Sequence, residues 1–152
     1  SSEIRAVAEQ GHETDILVLI GETVNNQSGT YGVTGSIPGA ILPTERAAVT
    51  ISWLENAGLD AEFSATETQL LCETLAHETG HYLGLYHPVE SDYFEWDALE
   101  DTAECGNSND CDSDLGSNMM YPYPICSGSE CVQQVEFTQD QQAVMHLYTG
   151  TL

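Results

Sequence analysis

The chain has no lysine and only two arginines, Arg5 and Arg46, in 152 residues. Against them stand 25 aspartates and glutamates, giving a formal net charge of −23. Such a surface repels polyanions, so no nucleic-acid partner is expected, and its negative field would attract cationic peptides. The same composition suits a protein that stays soluble in high salt, where repulsion between carboxylates is screened. Long apolar runs are also missing. The longest, ILVLI at 16–20, falls far short of the roughly 20 residues that span a bilayer, so no transmembrane segment is expected. The first residues, SSEIRAVAEQG, lack a basic region followed by an apolar one. Any signal peptide, propeptide or further N-terminal segment is therefore expected to have been removed or to lie outside this sequence.

What is present argues against a disordered polyanion. Hydrophobic residues make up 41% of the chain and seven tyrosines are among them, enough for a core. The length suits a single domain covering residues 1–152.

Five cysteines divide unevenly: Cys72 stands apart from Cys105, Cys111, Cys126 and Cys131, which fall in the loop-rich second half. Pairing those four as two disulfides in an oxidising compartment would staple loops with little core of their own, leaving Cys72 as a buried thiol. The alternative, a structural zinc site of four cysteines, would favour short CxxC knuckles that the 105/111 and 126/131 spacings do not provide.

Along the chain, TDILVLIG (14–21) reads as a core strand, and NNQSGTYG (25–32) as a turn. Pro38 demotes VTGSIPGAIL (33–42) to an edge strand or extended loop, because proline cannot donate to a ladder. AAVTISWL (47–54), rich in β-branched residues, reads as a further strand followed by a polar loop to about Phe63. Either Ser64 with Glu67 or Thr66 with Gln69 forms a capping box ahead of a helix over 65–83, with Gly84 ending it. Ten acidic residues between 90 and 114 mark a long surface loop. Thr138 is placed to cap a closing helix in QDQQAVMHLY.

The helix carries HETGHYLGLYH (77–87), an HExxHxxGxxH pattern. His77 and His81, four apart, share a helical face and can present two imidazoles to one metal. Glu78, one step around, can reach a water at that metal without ligating it. Gly84 permits a sharp turn that returns His87 as a third ligand. Three protein ligands leave one position open, the mark of a catalytic rather than a structural zinc site. With Zn²⁺ bound, a water of lowered pKa would surrender its proton to Glu78, which would return it to a leaving amine. A metal-binding but catalytically silent zinc or calcium module that engages protein partners remains open beside the enzyme reading, as does an amidase acting on a non-protein substrate.

These residues resemble the signature of the metzincin zinc endopeptidases. SNMMYP (117–122) is similar to the clan's Met-turn, a methionine-bearing turn under the zinc. The MYP reading, as in matrixins, places Met120 at that floor. An SxMxY reading would place Met119 there and offer Tyr121 as a switchable tyrosine assisting the oxyanion. LGLYH (83–87), Asp101-Thr102 and FTQDQQAVM (137–145) resemble the pappalysins, whereas Pro88 after the third histidine is what serralysins show.

The resemblance implies an α+β metzincin-like zincin fold, a twisted mixed β-sheet with an active-site helix and a C-terminal helix. It implies a secreted, monomeric endopeptidase whose peptide or protein substrate lies antiparallel to an edge strand near 33–42. It also makes the acidic loop a candidate calcium site, through Asp92, Asp97, Asp101, Asp110, Asp112 and Asp114. A merely solvated acidic face is the alternative for that loop.

Overall fold

The computed structural model describes residues 15–39, 48–58, 60 and 62–150, together with residues 6 and 10. Three short strands, β1 (Leu17–Gly21), β2 (Gly32–Thr34) and β3 (Ala48–Ser52), form a mixed sheet in the order β1-β3-β2. The central strand runs parallel to β1, pairing Leu17 with Ala48, and antiparallel to β2, pairing Val33 with Thr50. Ala48, Val49 and Ile51 are accordingly buried, as a strand covered by neighbours requires.

Among the described residues β2 lies at the sheet edge, as expected of the 33–42 segment, but the strand ends at Thr34; Gly35 N still donates to Ala48 O at 3.2 Å, and the chain bends over 35–38. Residues 40–42, like 14 and 47, lie outside the described residues. The strand expected over 47–54 ends at Ser52, whose hydroxyl accepts a hydrogen bond from the Glu55 amide and opens a short helix, α1 (Trp53–Ala57). A hydroxyl cap therefore overrides the strand preference of Trp53.

Helix α2 (Ala65–Tyr82) starts at a complete capping box: Ser64 Oγ accepts from the Glu67 amide, and Glu67 Oε2 accepts from the Ser64 amide. That settles the choice between the two cap readings. Tyr82, with Leu71 and Leu75, packs onto Val49 and Ile51 of the sheet.

The stretch expected as one long loop is interrupted by α3 (Ser108–Leu115), capped by the Asn107 side chain on the Asp110 amide. Cys111 and Leu115 bury against Val89, Cys105 and Tyr121 in a small second core. Disulfides join Cys105 to Cys111 and Cys126 to Cys131, so these cysteines form no zinc site; the second bridge spans a hairpin of β4 (Cys126–Ser127) and β5 (Glu130–Cys131). The expectation of a buried Cys72 is corrected: it is unpaired and exposed. A final helix, α4 (Gln139–Gly150), brings Val144 and Met145 against Leu85, Met119 and Met120. The described residues thus form an α+β structure with a small mixed sheet and four helices. Among them no helix is long and apolar enough to cross a membrane.

Candidate metal centre

The C-terminus of α2 determines where the third histidine falls. Leu85 N donates to Gly80 O and Gly84 N to His81 O, the paired bonds of a Schellman turn, with Gly84 at φ +99° as its left-handed residue. The chain reverses there and carries His87 back over the helix face that holds His77 and His81.

The three imidazoles converge through one edge each. Nε2 of His87 stands 3.1 Å from Nε2 of His77 and 3.1 Å from Nε2 of His81. Their other nitrogens are held from behind: His77 Nδ1 lies 2.8 Å from Met119 O, His81 Nδ1 lies 2.7 Å from Leu85 O, and His87 Nδ1 lies 3.3 Å from Glu90 Oε2. Carbonyl and carboxylate oxygens accept only, so each Nδ1 carries the proton and each Nε2 presents a lone pair. Burial and the neighbouring imidazoles push His77 down to about 3 and His87 down to about 4, and burial lowers His81 as well. Neutral rings with three lone pairs aimed at one point repel one another unless a cation lies among them. This trio could therefore hold a metal ion.

Glu78 stands beside the trio, 7% exposed. Burial pushes its carboxyl up to about 7, partly offset by the Thr34 hydroxyl 2.9 Å from Oε2. Gly32 on β2 makes this approach possible, since a Cβ there would fall 2.7 Å from Glu78 Cγ and 2.9 Å from Thr74 Cγ2. Edge strand and helix thus meet at the carboxylate.

Beneath α2 runs the turn of residues 118–120. Met120 is fully buried, and a Cβ on Gly80 would collide with its sulfur, which places this side chain directly under the helix between His77 and His81. Met119 contributes its carbonyl to His77. A reciprocal amide pair holds the turn: Asn118 Nδ2 donates to Gln141 Oε1 at 2.9 Å, Gln141 Nε2 donates back at 3.2 Å, and Asn118 Oδ1 also accepts from Met120 N.

A cleft of about 430 Å³ opens at this site between the 29–34 segment on one side and Tyr121–Pro124 on the other. Tyr121 lines it, but its hydroxyl donates to Asp112 Oδ1 at 2.6 Å, and burial together with that carboxylate holds its pKa well above the phenol range.

The six aspartates suggested for calcium are otherwise engaged or dispersed. Asp92 accepts from Phe94 N, Asp97 from Leu99 N and Thr102, Asp101 from Asp140 N, Asp110 from Asn107 and Asp112 from Tyr121, and Asp114 is exposed. Among the described residues they do not assemble a ligand group; the histidines do.

Four contributors escaped sequence reasoning. Thr34, Glu90 and the Met119 carbonyl act on the site residues from outside the motif. Glu73 lies in the cleft wall, and its spacing of four from His77 was a readable signal.

Fold and site together define an α+β protein with a three-histidine group able to hold a metal ion. No family model matches the chain, and no curated protein or solved structure is significantly similar to it.

Proposed function

We propose that the chain is a zinc-dependent endopeptidase of the metzincin clan. The observation that carries this reading is the convergence of three neutral histidine Nε2 atoms beside the Glu78 carboxyl at the floor of an open cleft. Zinc fits the donor set: imidazole nitrogens bound tetrahedrally at about 2.0–2.1 Å stand roughly 3.3–3.4 Å apart, close to the two separations seen. When bound, zinc supplies Lewis acidity that makes water a nucleophile at neutral pH and polarises the carbonyl under attack.

The chain's own residues supply the rest. Met119, Leu85 and Glu90 fix the three rings in the tautomer that exposes Nε2. Glu78 takes a proton from the attacking water as its oxygen bonds to the scissile carbon, then delivers that proton to the nitrogen as the C–N bond breaks. Burial raises this carboxyl above the ordinary glutamate range, which suits a group that takes up a proton and then releases it. The side of β2 that no described strand covers offers backbone groups to an extended peptide laid antiparallel to it, next to the same carboxylate. Two disulfides favour an oxidising, extracellular setting.

The test is Glu78→Ala against casein and a quenched-fluorescence peptide. The variant retains metal and loses activity by about 10²- to 10⁴-fold. Equal hydrolysis by the two proteins removes the enzyme reading, and zinc binding with no hydrolysis by either leaves a silent metal-binding module.

A further inference from the structure

Of the three groups behind the imidazoles, two are backbone carbonyls. Met119 O belongs to the turn under α2 and Leu85 O to the turn that closes the helix, so His77 and His81 are oriented by main chain. His87 differs. It stands beyond the helix end, and its Nδ1 faces a side chain, Glu90 Oε2 at 3.3 Å. That side chain is 43% exposed. A carboxylate that water reaches orients a ring weakly unless its own position is fixed, because solvent competes for both partners.

The loop around Glu90 fixes it. Pro88 and Val89 are fully buried, which anchors the entry. Val89 pairs with Trp96 in an antiparallel bridge, Glu90 N donates to Glu95 O at 2.8 Å, and Glu90 O accepts from Tyr93 N at 2.9 Å. Both backbone groups of Glu90 are thus engaged inside the loop. Tyr93 sits in the left-handed region at φ +63°, a conformation that a bulky residue keeps only when its surroundings impose it, and it packs against the small second core. The exit is latched as well. Trp96 Nε1 donates at 3.1 Å to the carbonyl of Cys105, the residue that a disulfide ties to Cys111 of α3.

We propose that residues 88–97 are a clamp on the third histidine, in which Glu90 positions His87 for a metal ion and Trp96 holds the loop that positions Glu90. This inference rests on the metal-binding part of the reading above and needs no hydrolysis. Glu90 keeps the proton on Nδ1, so that Nε2 retains its lone pair, and its negative charge makes that nitrogen a stronger donor. The carbonyls behind His77 and His81 do the first of these without a full charge. Glu90 is therefore the one support whose charge a single substitution removes.

The experiment measures zinc affinity of the full chain against a competing chelator, with the melt of each metal-free protein as the check on folding. Glu90→Ala loses about 10- to 100-fold in affinity. Glu90→Gln keeps an accepting oxygen and gives up the charge, so it loses less than Glu90→Ala. A loss of less than about tenfold in Glu90→Ala overturns the proposal. Zinc binding by neither wild type nor variants removes the metal reading and the proposal together, whereas equal binding by all of them removes the proposal alone.

Trp96→Phe tests the latch, since it keeps an aromatic ring and deletes the N–H. It lowers zinc affinity by about threefold or more when Glu90 is present and has no effect in the Glu90→Ala background. Equal losses in both backgrounds, or none in either, overturn the part assigned to Trp96.

A further readout needs no metal. NMR of the imidazole nitrogens in the metal-free protein, at a pH above the range in which free histidine titrates, shows His87 with its proton on Nδ1 in the wild type and as mixed tautomers in Glu90→Ala. A general loosening of the fold would disturb His77 and His81 equally. The same His87 tautomer in both proteins, or equal changes at all three rings, overturns the positioning role of Glu90.

Discussion

The Thr34 hydroxyl sits between the backbone carbonyl of Glu78 and its carboxylate, 2.9 Å from Oε2, and so ties the sheet's edge strand to the residue assigned as proton carrier. One hydroxyl proton serves both oxygens. The bond to the carboxylate counters part of the rise that burial imposes on Glu78. Removing the hydroxyl raises the carboxyl further, so the basic form appears only at higher pH. Thr34→Val therefore moves the acid limb of the kcat/KM profile upward by up to about one pH unit. An unmoved limb would separate Thr34 from the proton-transfer step.

A second prediction concerns Gly80. In a helix interior, replacing glycine by alanine ordinarily stabilises by about 1 kcal/mol. Here the new Cβ would strike the Met120 sulfur. Gly80→Ala is expected to destabilise by about 1–3 kcal/mol in urea unfolding, and the double variant with Met120→Ala to recover part of the loss. A more stable single variant would mean that Met120 is not the packed floor of α2.

Gln141, fully buried on α4, acts on the metal site through two links. It fixes Asn118, which fixes the turn whose Met119 carbonyl holds His77. Gln141→Leu leaves the Asn118 amide unpaired and costs about 1–3 kcal/mol of stability. Because the ring it ultimately orients is a ligand, zinc affinity measured against a competing chelator falls about tenfold or more. Reduced stability with unchanged affinity would break the proposed chain of support.

The pH dependence of the metal-free protein follows from opposing groups. An unfolded histidine takes a proton near pH 6.5, while His77 and His87 resist protonation down to about 3 and about 4, and His81 is lowered too. Below pH 6.5 the unfolded chain binds more protons at these sites, so stability falls as pH falls. Glu78, raised to about 7, works the other way between about 4.5 and 7, and Glu73 is shifted in the same sense. The three imidazoles prevail. Replacing one of them, in His87→Gln, flattens the stability profile by about 1 kcal/mol per pH unit between pH 4.5 and 6, measured in about 1 M salt to screen the acidic surface. Parallel profiles for variant and wild type would show that His87 is not buried as a neutral ring.

The site was legible where spacing alone carries geometry. His77, Glu78 and His81 follow from the period of a helix that Ser64 and Glu67 cap, and Gly84 from the left-handed turn that ends it. What the motif could not convey were the contacts from elsewhere: Thr34 and Gly32 come from an edge strand more than 40 residues upstream. Cys72 and Glu73 show a different difficulty. Ordinary hydrophobicity buries the cysteine and exposes the glutamate, but the cleft face of α2 is polar, so the assignment reverses. Helix α3 was obscured by its composition, since SNDCDSDL has little apolar face and is held by an Asn107 cap and the Cys105–Cys111 bridge. The end of β3 was hidden because Ser52 reads as a strand residue until its hydroxyl is seen capping Glu55.

The most direct measurement is peptidase activity through one cycle of metal removal and return. The account predicts that chelation abolishes hydrolysis of a quenched peptide and that one equivalent of Zn²⁺ per chain restores it, with no recovery in Glu78→Ala. Undiminished hydrolysis after complete metal removal, or no hydrolysis of any peptide by the fully zinc-loaded wild type, would contradict it.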